Sequence, residues 1–297
     1  MRAPGQWISI GALLLASACA APSGPGAPVD VVAADGALCD ITRRLAGPQL
    51  TVRCLLRPSD DPHQFQLSPQ QSREIRQAQL VLINGYGLTP ALEKLPSALA
   101  VAELAVPHSP RDPHVWHDPR QAAALVAVVS RRLQRLDPAA AGPIQSRAEA
   151  MRASLAALDG WNRTQFASIP GPRTLASDHR AFTSLARAYQ LQELPVVDST
   201  SSSERMRPQG FNAVVQRLRR QRPASLFSEQ SPPSRSLERV SALSGVPIAP
   251  QPLRGDAVGD NLMATLTANT CLIVDQLKGR CDSASGAQLV ARWRAIR

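Results

Sequence analysis

Aromatic residues are scarce in this chain: Phe, Trp and Tyr together make up 4% of 297 residues, with only two tyrosines. Hydrophobic residues still reach 44%, so buried cores must be built from Ala, Leu and Val. The length suffices for two domains of ordinary size. The lack of aromatics also bears on the charge. A formal +10 invites a nucleic-acid reading. The basic residues, however, are mostly Arg and are dispersed over helical stretches such as Ser130-Arg131-Arg132-Leu133-Gln134-Arg135 and Gln216-Arg217-Leu218-Arg219-Arg220. No aromatic rings are interleaved with them for stacking. Solvated helix faces account for these residues, and no nucleic-acid partner is expected. There is no Cys-x-x-Cys knuckle, which counts against a zinc-thiolate site. No His-Glu-x-x-His helix of a zinc hydrolase is present, and no repeat of solenoid period.

Long apolar runs are missing too. The longest, residues 8–18, falls short of the roughly 20 residues that a permanent membrane helix needs. With Arg2 before it and small residues after it, it reads as an export signal over residues 1–18. Leu15-Ala16-Ser17-Ala18-Cys19 resembles a bacterial lipoprotein cleavage box, although Ala16 stands where a large aliphatic residue is usual. Cys19 would then carry lipid; simple secretion is the other reading. Residues 19–28, rich in Pro, Gly and Ser, read as a flexible tether. The expected location is the periplasm, or a lipid anchor at the outer face of the bacterial inner membrane. Export permits disulfides. Cys39, Cys54, Cys271 and Cys281 allow three pairings, of which local pairing of each neighbouring couple is the simplest.

Short apolar runs then alternate with helical stretches. Strands are expected at residues 29–33, 50–56, 80–83, 173–177, 194–197, 225–228 and 246–249. Helices are expected at 38–45, from Ser68-Pro69, from Thr89-Pro90, at 122–136, 181–189, 208–220, 234–243 and 261–277. Strand–helix alternation with short connections implies α/β architecture with mostly parallel sheets flanked by helices. Residues 141–168 lack strand signals; they read as one long connecting helix, interrupted or ended near Gly160. The expected organisation is an N-terminal lobe at 29–140, this connector, and a C-terminal lobe at 169–297.

Histidine is also rare, with five in all, yet two of them share one context: Asp61-Pro62-His63 and Asp112-Pro113-His114. His179 follows the strand ending at Ser177, and Asp256 lies in a Gly-rich segment. In open parallel sheets, ligands bind beyond the carboxyl ends of the strands. All four residues are therefore expected on that edge, two from each lobe, around a metal in the cleft between lobes. His108 and His117 lack such support, and His117 reads as a residue of the surroundings or of the surface. Asp61, Asp112 and Glu229 are candidates to orient the ligand histidines through the second ring nitrogen.

The chain resembles the metal-binding solute receptors of bacterial ABC importers for zinc and manganese, the ZnuA/TroA-like family. The resemblance is carried by Asp61-Pro62-His63-Gln64-Phe65, Asn84-Gly85-Tyr86-Gly87-Leu88, Asp112-Pro113-His114-Val115-Trp116 with Asp118-Pro119, and His179-Arg180-Ala181-Phe182 with Tyr189. Phe227-Ser228-Glu229 and Leu253-Arg254-Gly255-Asp256-Ala257 extend it. It implies two lobes joined by a single long helix, a metal bound by His63, His114, His179 and Asp256, with Asp260 near enough to replace Asp256, and no catalysis. It also implies delivery of the ion to an ATP-driven permease in the inner membrane by a monomeric receptor. Two departures stand out. Residues 101–111 are short and contain only His108 where zinc-dedicated members carry a His- and acid-rich loop, and His117 occupies a usually aliphatic position.

Three imidazoles favour Zn2+ over Mn2+, which takes more carboxylate and water, and such ligands bind only unprotonated, so affinity should fall as pH falls. Two other classes remain as alternatives: a zinc-dependent hydrolase, which would need an open water position on the metal, and an exported adhesin or structural lipoprotein with an incidental site.

Overall fold

In the computed structural model, residues 29–107, 112–204, 208–259 and 261–297 are described. The expected signal, tether and Cys19 lie outside them, as do His108 and Asp260. The chain runs β1 (Val31–Ala33), α1 (Gly36–Ala46), β2 (Val52–Cys54), α2 (Pro69–Gln77), β3 (Leu80–Ile83), β4 (Ala98–Ala100), α3 (Val101–Ala105), α4 (Pro119–Leu136) and α5 (Ala141–Ala167). It continues with β5 (Thr174–Ser177), α6 (Thr183–Tyr189), β6 (Gln192–Glu193), α7 (Pro208–Gln221), β7 (Leu226–Phe227), α8 (Arg235–Ser244), α9 (Leu262–Gln276) and α10 (Ser283–Ala295).

Two parallel sheets carry the two lobes. The first has the order β2-β1-β3-β4, the second β6-β5-β7, and every pairing is parallel. Val31, Val32 and Ala33 of β1 are fully buried, as a central parallel strand with both faces covered must be. Helix starts follow local chemistry. Ser68 and Gln71 form a reciprocal capping box at α2. Asp118 accepts from the Arg120 amide ahead of α4, with Pro119 in the first turn.

The segment from Thr89-Pro90 forms turns in place of the expected helix. Pro96 forces Leu95 away from helical backbone, and the five residues left between the two prolines are too few to nucleate one. Conversely, α5 runs through Gly160 without a break. Its buried Ile144, Ala148, Met151, Leu155 and Leu158 recur at helical spacing and belong to the first lobe's core, whereas Phe166 belongs to the second. Of the expected strand at 194–197, only a bridge of Val197 to His179 is present, and at 246–249 only one of Ile248 to Leu226. Strand β4 and helices α3 and α10 were not anticipated.

The end of the chain returns to the first lobe. Leu262, Met263 and Leu266 at the start of α9, and Leu289, Trp293 and Ile296 from α10 onward, join the first core, while Ile273 and Val274 of α9 join the second. Buried Asp40 of α1 fastens this return: it accepts from the Leu262 amide at 3.0 Å and from Trp293 Nε1 at 2.7 Å, and it pairs with Arg44. Disulfides join Cys39 to Cys54 and Cys271 to Cys281, the local pairing.

Candidate metal centre

The four anticipated residues converge. One ligand atom from each of His63, His114, His179 and Asp256 lies within 4.8 Å of all the others, although the residues come from four separate connections. Each connection follows a strand or precedes a helix. His63 sits in a 3-10 turn, Pro62–Gln64, beyond β2; His114 leads into another, Val115–His117, ahead of α4; His179 follows β5; Asp256 lies between the Ile248 bridge and α9. In both Asp-Pro-His triplets the aspartate accepts from the histidine's own amide, at 2.9 Å for Asp61–His63 and 3.0 Å for Asp112–His114. The intervening proline has no N–H to compete for that acceptor.

Two of the rings are oriented from behind. His114 Nδ1 lies 3.0 Å from Asp112 Oδ1, and Asp112 Oδ2 accepts from Ser184 Oγ at 3.0 Å. His179 Nδ1 lies 3.0 Å from Glu229 Oε1, which also accepts the His179 amide. Each carboxylate orients its ring so that Nε2 faces inward. Asp61 does not orient a ring; its second oxygen accepts from Gln64 and from Ser202 across the cleft.

The Nε2 atoms of His63, His114 and His179 lie 3.2, 2.8 and 3.3 Å from the Asp256 carboxylate. Only the His114 contact has hydrogen-bond geometry. His63 Nε2 and His179 Nε2 are buried and make no hydrogen bond. A buried nitrogen without a partner is costly, and two such atoms facing one carboxylate have the donor chemistry of a cation site. Burial alone would depress the His114 imidazolium, but the charge of Asp256 and the bond to Asp112 outweigh it and raise its pKa to about 10. Burial opposes the Asp256 anion, yet His114, His63 and His179 hold it below the usual carboxylate range. Asp178, adjoining Glu229, is raised to about 6 by burial and by the Glu229 charge.

A cleft of about 1080 Å³ opens on the site, lined by Asp60, Asp61, Asp178, Glu204, Glu229 and Asp256 among others, with Arg235 a basic residue on its wall. Its acidic lining contrasts with the net positive charge of the whole chain. A Cβ at Gly255 would stand 2.0 Å from Glu229 Oε2 and 2.9 Å from Ala181 Cβ, so the backbone before Asp256 passes directly against the group that orients His179. His117 is buried, not on the surface; its Nε2 lies 2.9 Å from the Gly255 carbonyl, and burial depresses its pKa to about 4. This contact joins residues 138 positions apart, and the only hint of it in the sequence is a histidine at a usually aliphatic position.

Comparison with known proteins bears on the family and the fold. The family described as "ZnuA: Zinc-uptake complex component A periplasmic" matches residues 31–276. The manganese-binding lipoprotein MntA of Halalkalibacterium halodurans is 27% identical over 262 residues, 83% of this chain and 87% of that protein. Among solved structures, Fe(III)-bound YtgA from Chlamydia trachomatis superposes with a TM-score of 0.79 at 22% identity, covering 85% of this chain and 99% of that one. The periplasmic zinc-binding protein TroA from Treponema pallidum superposes with a TM-score of 0.77 at 24% identity, covering 84% and 99%. At these identities the two superpositions speak for the fold, and the match over residues 31–276 speaks for descent: the chain belongs to the ZnuA family.

Proposed function

We propose that this protein is the extracytoplasmic receptor of an ABC-type metal importer. It captures a divalent transition metal between its lobes and hands it to a membrane permease, with no chemistry on the ion. One observation carries the reading: two buried imidazole nitrogens without partners, a third imidazole and a carboxylate share one small volume. His63, His114 and His179 would bind through Nε2 and Asp256 through its carboxylate, the ion replacing the His114–Asp256 bond. Lipid on Cys19 would keep the exported receptor at the membrane face beside its permease.

Zinc is the favoured cargo. The relatives' names include manganese, iron and zinc, so the preference rests on the donors, and three neutral imidazoles suit zinc better than manganese. Competitive titration of metal-free protein tests both levels of the reading. One equivalent of zinc should bind in preference to manganese and be lost in His179→Ala. Preference for manganese would overturn the zinc assignment alone, whereas the absence of any stoichiometric metal would overturn the receptor. Turnover of esters, peptides or phosphates by zinc-loaded protein, abolished in His179→Ala, would make it a hydrolase instead.

A further inference from the structure

His117 is buried, stands outside the four converging groups, and lies three residues beyond His114 at the end of the 3-10 turn Val115–His117. In a 3-10 turn, side chains at i and i+3 align. Both imidazoles therefore address the same stretch of the opposite lobe: His114 Nε2 meets the Asp256 carboxylate at 2.8 Å, and His117 Nε2 meets the carbonyl of the preceding residue, Gly255, at 2.9 Å. A carbonyl only accepts, so the proton of the neutral ring sits on His117 Nε2.

The loop it reaches is tethered at several of its backbone groups. The Leu253 amide donates to the Ser228 carbonyl at 2.8 Å. Asn269 of α9 grips Arg254 on both sides, accepting from its amide at 3.0 Å and donating to its carbonyl at 2.8 Å. The Val258 amide closes on the Asp256 carbonyl at 3.0 Å. Ser228 and Asn269 both belong to the chain after α5. Among these contacts, His117 supplies the bond that comes from the N-terminal part of the chain, and it fixes the peptide plane leading directly into Asp256. Its ring is backed by Phe182, with centroids 4.9 Å apart.

We infer that His117 is a positioning residue: by donating to the Gly255 carbonyl it sets the Asp256 loop against His114, and so governs how long the captured ion is retained. The inference rests on the reading of Asp256 as a metal ligand.

The test compares His117→Leu and His117→Gln in the full chain. Leu removes the donor and keeps an apolar filling, whereas Gln carries its Nε2 donor at a similar reach. Zinc release from the loaded protein into a chelator, and amide hydrogen exchange over residues 253–259 in the metal-free protein, are the two readouts. His117→Leu should release zinc roughly tenfold faster, as loss of an orienting partner behind a metal site does, and should exchange faster across the loop. His117→Gln should preserve both. If His117→Leu does not fold, His117→Asn, whose amide stops short of the Gly255 carbonyl, takes its place with the same expectation. Wild-type release and exchange in His117→Leu would overturn the inference. So would equal losses in Leu and Gln, which would assign the effect to ring packing on Phe182. Unmutated protein that binds neither zinc nor manganese would overturn the receptor reading itself, a result distinct from unchanged release in the variant.

Discussion

Each Asp-Pro-His triplet turns its histidine by the same local device, an aspartate accepting from the amide two residues on, and for that reason both were legible in the sequence. What each aspartate does with its remaining capacity was not. Asp112 Oδ1 also reaches the His114 ring, while Asp61 spends its second oxygen on Gln64 and on Ser202, 141 positions further along the chain. The consequence of Asp112 is measurable. In the metal-free protein both ring nitrogens of His114 face carboxylate oxygens, at 3.0 and 2.8 Å, so the ring is held as an imidazolium with its pKa raised to about 10 despite burial. A metal must displace that proton from Nε2. Calorimetry in buffers of differing ionisation enthalpy should show release of about one proton per metal near pH 8, and affinity should rise by about tenfold per pH unit. Stability of the metal-free fold has the opposite sign. The folded pKa of His114 lies above its ordinary 6.5, so its contribution is complete below 6.5 and is lost as pH rises towards about 10. Affinity independent of pH between 7 and 9 would refute the protonated pair.

Elements were legible where apolar periodicity and capping agreed. Helix α2 announced itself by Ser68, Pro69 and Gln71, and α4 by Asp118 and Pro119, because those residues act within one turn of where they stand. Strands β6 and β7, of two residues each, carry too little pattern to mark their bounds, and β4, Ala98–Ala100, lacks the β-branched residues that signal a strand. Gly160 shows how tertiary packing overrides propensity. The helix continues through it because Leu158 on one side and Asn162 on the other are buried, and the packing they gain exceeds the glycine's conformational cost. That cost is recoverable. A Cβ at Gly160 would meet nothing within 4 Å, so Gly160→Ala should stabilise the protein by roughly 0.5–1 kcal/mol. Denaturant unfolding should show the gain with zinc affinity unchanged. A loss of stability would mean that α5 bends at this glycine in solution.

For the whole molecule, the sequence reading implied one connecting helix, but the cores show a second route between lobes. Helix α9 gives Leu262, Met263 and Leu266 to the first core and Ile273 and Val274 to the second, beside α5, which also serves both. The N-terminal end of α9 and the C-terminal end of α10 are pinned to α1 by Asp40 and Arg44. This was not legible, because a hydrophobic helix face does not state which core it enters. Wide hinge closure of the kind known in other binding proteins would strip such side chains from one core, and exposing two of them would cost roughly 3–6 kcal/mol. Ion entry then falls to the mouth of the cleft, where Asp61 and Ser202 meet across a 2.6 Å bond between part-exposed side chains. Small-angle scattering from metal-free and zinc-loaded protein should superimpose. Hydrogen exchange should slow on loading in the segments around residues 57–66 and 198–204 while α5 and α9 stay unchanged. A contraction on loading, accompanied by altered protection along α9, would mean that its two halves separate during capture, and the rigid frame drawn from its double packing would fall.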